Sequence, residues 1–235
     1  MQLIGPEQQD RGGELAVIRR MLPLADAKVL ELGCGAAEKT RLIAERFPVA
    51  AIVAAEIDAV QHAKNQRIND LPHVSFESFG AEDIPYEDAR FDLVLMFKSL
   101  HHVPMDSLGH ALGEIRRVLK PGGLLYVSEP VFDGAFNDIM RLYHDEEVVR
   151  QAAFDALIQA VGSGSYQLEE EYFFKTPVRF ESFDQYERGI LNVSHSDFKL
   201  TPEIVAEVKR RFHEHDSPEG YCFDIPNRVD LLRRP

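Results

Sequence analysis

Short apolar runs of strand length punctuate this chain. Val29-Leu-Glu-Leu, Val49-Ala-Ala-Ile-Val-Ala-Ala, Phe91-Asp-Leu-Val-Leu and Gly123-Leu-Leu-Tyr-Val are each bounded by polar or glycine-rich text. Ahead of the first, Glu14-Leu-Ala-Val-Ile-Arg-Arg-Met-Leu places apolar residues at helical spacing, as a helix packed on a sheet requires. Strands alternating with helices predict a doubly wound α/β domain, its ligand lying at the carboxyl ends of the strands where their order reverses. Further on, Phe136 to Arg150 continues through Phe154 to Val161 with largely helical spacing and stops at Gly162-Ser-Gly. Tyr166 to Phe180 reads as a long strand. Phe183–Leu191 and Pro202–Phe212 read as helices, the second starting near Leu200 or Thr201. Tyr221–Pro226 with Arg228–Leu232 supplies a final strand.

The first strand ends in Glu31-Leu-Gly-Cys-Gly-Ala-Ala-Glu and opens directly into a helix. Gly33 and Gly35 carry no Cβ, which permits a sharp reversal and brings main-chain N–H groups close to a ligand, and Ala37 sits where the new helix must pack tightly. Plain loop punctuation is the other reading of such a turn. The second strand ends at Glu56, about 20 residues beyond the turn, where this architecture places the carboxylate that holds a ribose diol. Charge then separates two cofactor classes. A dinucleotide's pyrophosphate seeks the bare positive end of a helix, whereas Glu31 and Glu38 flank this turn. The sulfonium and ammonium of S-adenosylmethionine are served by such acids.

With these motifs in order, the chain resembles the class I S-adenosylmethionine-dependent methyltransferases, especially the small-molecule branch of ubiquinone and sterol methyltransferase-like proteins. The likeness runs from about Lys28 to Pro130. It rests on Glu31-Leu-Gly-Cys-Gly, Glu56-Ile-Asp, Gly80-Ala-Glu-Asp-Ile-Pro, Phe91-Asp-Leu-Val-Leu, Leu100-His-His-Val and Leu119-Lys-Pro-Gly-Gly-Leu-Leu-Tyr-Val. The resemblance implies a Rossmann-like, mostly parallel seven-stranded sheet with an antiparallel last strand. It implies that Glu31, Gly33, Cys34 and Gly35 face the methionine part of the cofactor, Glu56 the ribose, Ile57 the adenine, and Ala81 with Glu82 or Asp83 the adenine edge. One position departs from the family: an Asp often precedes that alanine, and here it is Gly80, so a shifted acid such as Glu82, backbone or water must meet the adenine amino group.

At 235 residues with 45% hydrophobic content the chain can bury one sizeable core. We expect a single domain over 1–235, with a cofactor-binding core at 25–132, a helical cap at 133–164 after the fifth strand, and 165–235 completing the sheet. Within the cap, Tyr143 and His144 are expected to face the substrate, and Met140 to close the core instead. A net charge of −13 argues against nucleic acid, because phosphate contacts need clustered Lys and Arg. The N-terminus has no basic segment leading into an apolar one, and no apolar run approaches membrane-spanning length, so a cytoplasmic protein is expected. Its two cysteines, Cys34 and Cys222, make no disulfide framework. The oligomeric state is not legible.

Methyl transfer demands little of a protein beyond holding the acceptor in line with the methyl group. Where the acceptor carries a proton, His101 beside His102 is the best-placed base, with hydrogen bonding of its loop as the other reading. Lys98 is expected to anchor a cofactor or substrate carboxylate, and Arg11 in the flexible Gln9–Gly13 segment could serve the same end. Arg141, Arg179 or Arg188 could hold an anionic acceptor. No metal site is read: His213 and His215 lie two apart, on different sides of a helix, without ligand partners. The expected activity is S-adenosylmethionine-dependent methylation of an O, N, S or C atom of a small-molecule acceptor, leaving S-adenosylhomocysteine. An NAD(P)-dependent oxidoreductase on the same fold and a non-catalytic cofactor-binding module stay open as alternatives.

Overall fold

The computed structural model describes residues 1–7, 9–192, 198 and 200–235. Strands and helices alternate as the hydrophobic pattern predicts through the first half: β1 (Asp10–Arg11), α1 (Glu14–Met21), β2 (Lys28–Leu32), α2 (Glu38–Arg46), β3 (Ala51–Ala55), α3 (Ala59–Asn65), β4 (Val74–Glu77), β5 (Phe91–Phe97) and α4 (Leu108–Val118). The second half adds β6 (Leu119–Pro130), α5 (Ala135–Met140), α6 (Glu147–Gly162), β7 (Gln167–Phe180), α7 (Phe183–Tyr186), α8 (Pro202–His213) and β8 (Tyr221–Arg233). They build one sheet in the order β1-β7-β8-β6-β5-β2-β3-β4.

Every pairing is parallel except those of β8, which runs antiparallel to both β6 and β7. The antiparallel last strand is therefore present, wedged between its neighbours. The sheet has eight strands rather than the seven expected, because Asp10 and Arg11 pair with Phe174 and Lys175 at its edge. That pairing also fixes part of the segment read as flexible.

Alternation along the strands divides the core. In β5, Val94 and Met96 face a cluster shared with Leu108, Leu112 and Ile115 of α4, while Leu93 and Leu95 face one shared with Val17 and Ile18 of α1 and Ile43 of α2. Helices thus cover both faces, which explains why these strands read as unbroken apolar runs.

The segment expected to form one helical cap divides in two. Residues 141–146 break it, and α6 beyond the break packs Ala153, Leu157 and Ala160 into the α4 side of the core. An apolar stripe on the sheet and one over a pocket have the same spacing, so sequence alone joined them. Beyond the sheet, α5, α7 and α8 enclose a third cluster in which the Phe212 ring lies 4.4–5.9 Å from those of Phe180, Phe183, Tyr186, Tyr221 and Phe223. Thr201 caps α8 by accepting the Ile204 N–H, and Pro202 follows at the first turn, where its missing N–H costs nothing.

Phe212 is fully buried at the centre of this cluster, whereas Val60 is 70% exposed. Phe212→Ala should cost about 3–5 kcal/mol in urea unfolding, with Val60→Ala within about 0.5 kcal/mol of the parent. Equal small losses for both would show that the cluster does not hold α8 in place.

Candidate active site

Strand order reverses between β2 and β5, and the two strand ends are knitted together there. The Ser99 hydroxyl donates to the Leu32 carbonyl at 2.8 Å, and the Lys98 N–H to the Ser128 carbonyl at 2.7 Å. Gly33 sits against this junction. Its φ is +72°, and a Cβ would lie 2.7 Å from the Ser99 Cβ, so glycine is required both by conformation and by packing. Gly35, with φ +51°, is different: a Cβ there would meet nothing within 4 Å. Its backbone borders open space, as a turn that receives a ligand needs. Ala37 takes φ +60° at the start of α2 and is buried, consistent with its reading as a small packing residue.

Glu56 is placed by this turn. One carboxylate oxygen accepts the Gly35 N–H and the other the Asp58 N–H, both at 2.8 Å. A carboxylate has about four acceptor positions, so each oxygen keeps one for a further donor. Beside it, the Ile57 side chain is 70% exposed. Glu82 folds back against Gly80, its Oε2 filling the space a side chain on residue 80 would take, with Ile57 Cδ1 3.5 Å from that same point. Glu82, one of the sources left open for the adenine amino group, thus lies beside Ile57. Ala81 is buried under it, and Asp83 is exposed.

Glu31 and Cys34 lie beneath the turn rather than on it. Glu31 is 1% exposed and accepts the Thr40 hydroxyl at 2.7 Å. Burial pushes its pKa up to about 7, against the opposing pull of Thr40 and Lys39. Any service to a cationic ligand is by charge from below. Burial also raises the Cys34 thiol far above its usual range, and Asn65 Nδ2 donates both to its sulfur at 3.5 Å and to the Gly35 carbonyl at 2.7 Å. Cys34 is a small wedge, not a nucleophile.

A cavity of about 630 Å³ opens at the carboxyl ends of β5 and β6. Lys98, His101, His102, Glu146 and Arg150 line its polar side, and Phe136, Met140, Ile190 and Phe198 its apolar side. Another, of about 340 Å³, lies at the opposite ends of the strands between Pro23–Ala27 and Lys120–Leu124, far from the glycine turn.

Lys98 holds φ +53°, an uncommon conformation for a lysine, and desolvation draws its pKa below the usual value. His101, in a 3-10 turn over Leu100–His102, is buried between two carboxylates. Its Nδ1–H donates to Glu129, and Nε2 stands 3.5 Å from Glu146 Oε1. Desolvation alone would lower the His101 pKa, yet Glu129 and Glu146 outweigh it and raise it to about 9. Glu129 in turn accepts the Leu100 N–H at 2.8 Å. Arg150 donates to Glu146 Oε2 at 2.5 Å and, with His101, holds that carboxyl well below its usual range despite burial. His102 is exposed, its ring 4.2 Å from that of His101 and tilted by 41°, and partial desolvation followed by the His101 charge lowers its pKa.

Several expected residues fall elsewhere. Tyr143 points into the aromatic cluster, its hydroxyl 2.8 Å from that of Tyr186, and does not line the cavity. His144 and Met140 do line it, so Met140 belongs to the site rather than only to the core. Arg11 is engaged by Asp224 at 2.8 Å and Arg141 by Glu147 at 3.1 Å. Sequence reasoning missed Glu129, Glu146 and Arg150. Only the first left a signal, as an acid at the carboxyl end of a strand; the others lie in the stretch read as cap.

A profile described as a methyltransferase domain matches residues 30–127. Among curated proteins, the 27-O-demethylrifamycin SV methyltransferase of Amycolatopsis mediterranei is 31% identical over 176 residues, 72% of this chain and 61% of that protein. The chain spans only 38% of the length of two mycobacterial phthiotriol/phenolphthiotriol dimycocerosates methyltransferases. Among solved structures, a protein of Bacillus halodurans C-125 superposes with a TM-score of 0.67 at 21% identity, covering 95% of this chain and 100% of that one. The [4+2]-cyclase SpnF gives 0.59 at 21%, covering 94% and 78%. Likeness at such identity carries the fold, and a cyclase among the neighbours shows that the fold does not fix the reaction.

Glu31 makes a sign-definite prediction. Its folded pKa of about 7 exceeds the unfolded value of 4.5, so the stability it contributes is complete below pH 4.5 and is lost as pH rises through 7. In ligand-free protein, Glu31→Gln should therefore remove a decline of up to about 3 kcal/mol between pH 4.5 and 8. Parallel urea-derived stability curves for parent and variant would show that Glu31 is ionised throughout.

Proposed function

We propose that this chain, whose residues 30–127 match a methyltransferase domain, is a class I S-adenosylmethionine-dependent methyltransferase that methylates a small-molecule acceptor held in the cavity beside Lys98 and His102. The observation that carries the reading is Glu56. Its carboxylate is fixed by two backbone N–H groups, keeps an acceptor position on each oxygen, and borders the open backbone of Gly35. That is the donor-poor, anionic cradle a ribose diol and a cationic amino-acid tail both suit.

When bound, S-adenosylmethionine would supply a sulfonium methyl group open to in-line attack by an acceptor atom, with the thioether of S-adenosylhomocysteine leaving. The residues present fit it. Gly33 and Gly35 admit close approach, Glu56 takes the ribose, Ile57 offers an apolar face to adenine, and Glu82 reaches the adenine edge in place of the missing residue-80 side chain. Lys98 is the cation for a carboxylate, on the cofactor or on the acceptor. Orientation between that cradle and the cavity can supply several kcal/mol of the barrier, within the roughly 7–11 kcal/mol ceiling for such effects.

His101 is buried with Nδ1 bonded to Glu129 and its pKa raised to about 9, which weighs against its serving as the base and favours a positioning role. Lys98, His102 and His144 line the cavity opposite Met140, Phe136, Ile190 and Phe198, a setting suited to an acceptor with an apolar body and oxygen substituents. Among the described residues no helix is long and apolar enough to cross a membrane. Two free cysteines, one inside the cofactor turn, suit a reducing compartment, and we place the protein in the cytoplasm.

Two expected outcomes test the reading. Glu56→Ala should weaken S-adenosylhomocysteine binding in calorimetry by about 1–3 kcal/mol, and NAD should give no thermal shift with either protein. Stabilisation by NAD alone would replace the methyltransferase with an oxidoreductase. Separately, Glu82→Ala should weaken S-adenosylhomocysteine by about 0.5–1.5 kcal/mol, with Gly80→Asp in that background restoring part of the loss. No effect of Glu82→Ala would move the adenine elsewhere.

A further inference from the structure

We propose that His101, His102 and Glu146 form a binding site for one divalent transition-type cation, Zn²⁺ in chemistry, in the wall of the acceptor cavity. One ligand atom from each of the three residues lies within 4.8 Å of the others. His102 and Glu146 are 44 positions apart in sequence, and the turn after β5 and the start of α6 bring them together.

Three further observations point to an ion. First, Glu129 does for His101 what an outer carboxylate does for a metal-ligating histidine: by taking the Nδ1–H it fixes the ring and turns Nε2 toward Glu146. Glu129 is itself held by the Leu100 N–H, so the ring cannot easily swing away. Second, the 3.5 Å between His101 Nε2 and Glu146 Oε1 is longer than the roughly 2.7–2.9 Å of a charge-assisted N–H···O bond. It is close to the edge of about 3.4 Å between two ligands held near 2.1 Å around a tetrahedral ion, and the His102 ligand atom would close in from within 4.8 Å. Third, Arg150 engages only the far oxygen of Glu146, which leaves Oε1 turned toward the imidazoles of His101 and His144.

The donor set narrows the class. Two imidazoles and one carboxylate suit Zn²⁺, Co²⁺ or Ni²⁺ rather than Mg²⁺ or Ca²⁺, which prefer all-oxygen shells. A further imidazole is close, because His144 Nε2 rests 2.8 Å from the same Glu146 oxygen. Three protein ligands leave a position facing the cavity, and an oxygen of the acceptor is the natural occupant. That last clause rests on the methyltransferase reading; the ion site itself does not.

Cobalt gives a spectroscopic readout independent of activity. Co²⁺ titrated into the chelator-treated full-length protein should saturate at one equivalent with the visible absorption of a four-coordinate site. His102→Ala and Glu146→Gln should each weaken it at least 10-fold, and Glu129→Gln by about 10–100-fold. His102 is exposed, so its variant keeps the test valid if Glu146→Gln impairs folding. Absent saturation, or unchanged affinity in His102→Ala, overturns the site. S-adenosylhomocysteine binding on the same chelated sample separates the two claims. If it binds and Co²⁺ does not, only the ion site falls; if Co²⁺ binds and it does not, only the methyltransferase reading falls.

Discussion

Glu129 ties the candidate site to the sheet. A carboxylate 4% exposed at the carboxyl end of β6 is tolerable only if its acceptor positions are filled, and both of its oxygens reach across to the turn after β5, to the Leu100 N–H and the His101 ring. Those bonds hold the turn against β6, which in turn brings His101 to Glu146 and the start of α6. Remove Glu129 and the polar wall of the cavity loses its register with the sheet. The same junction bears on the other half of the site, because Ser99, one residue before Leu100, packs on Gly33 and bonds the end of β2. The glycine turn and the cavity are thus coupled through four consecutive residues, Lys98 to His101.

Acids dominate this region, and their placement has a physical logic. Glu31 and Glu14 both have pKa values raised by burial, and Glu56 and Glu129 are buried with their oxygens directed at backbone or ring donors. Each costs stability in the empty protein unless a compensating charge is near. A net charge of −13 spread over a surface would say only that the protein is soluble and self-repelling. Beneath the glycine turn a cationic ligand is favoured over a pyrophosphate to the extent that Glu31 is ionised, and with a pKa of about 7 it is about half so at neutral pH.

What was legible follows the distance over which a signal acts. Gly33 and Gly35 announce a turn because their function is local backbone geometry, and Glu56 announces itself by a spacing that one βαβ unit fixes. Strand runs such as Phe91–Phe97 are readable because burial on both faces leaves Asp92, at the strand's entrance, as the one polar position. The cavity obeyed no such rule. Its walls come from the ends of β5 and β6, α5, the start of α6, the π-helical turn Glu187–Leu191 and β8, so no window of sequence contains it. Tyr143 was misplaced for a related reason: an aromatic in an amphipathic stretch can face a pocket or a neighbouring cluster, and only the packing of Tyr186 and Phe198 decides which. Met140 failed in the opposite sense.

The two halves also differ in how they constrain chemistry. Around the glycine turn the contacts are made largely by backbone, or by side chains locked by backbone, so the same ligand geometry persists through many substitutions. In the cavity the contacts are side chains alone, and exchanging Phe136, Ile190 or Phe198 would reshape it without touching the sheet. A fold neighbour such as a [4+2]-cyclase is then no paradox: retaining the frame while replacing the cavity suffices to change the reaction. For this chain the discriminating feature is an imidazole pair under a buried carboxylate. That arrangement is polar, charged and costly to bury, and nothing in the stability of the sheet calls for it. Apolar residues of equal volume are often no less stable than buried charges, so His101, Glu129 and Glu146 point to function in the cavity as Glu56 does at the glycine turn.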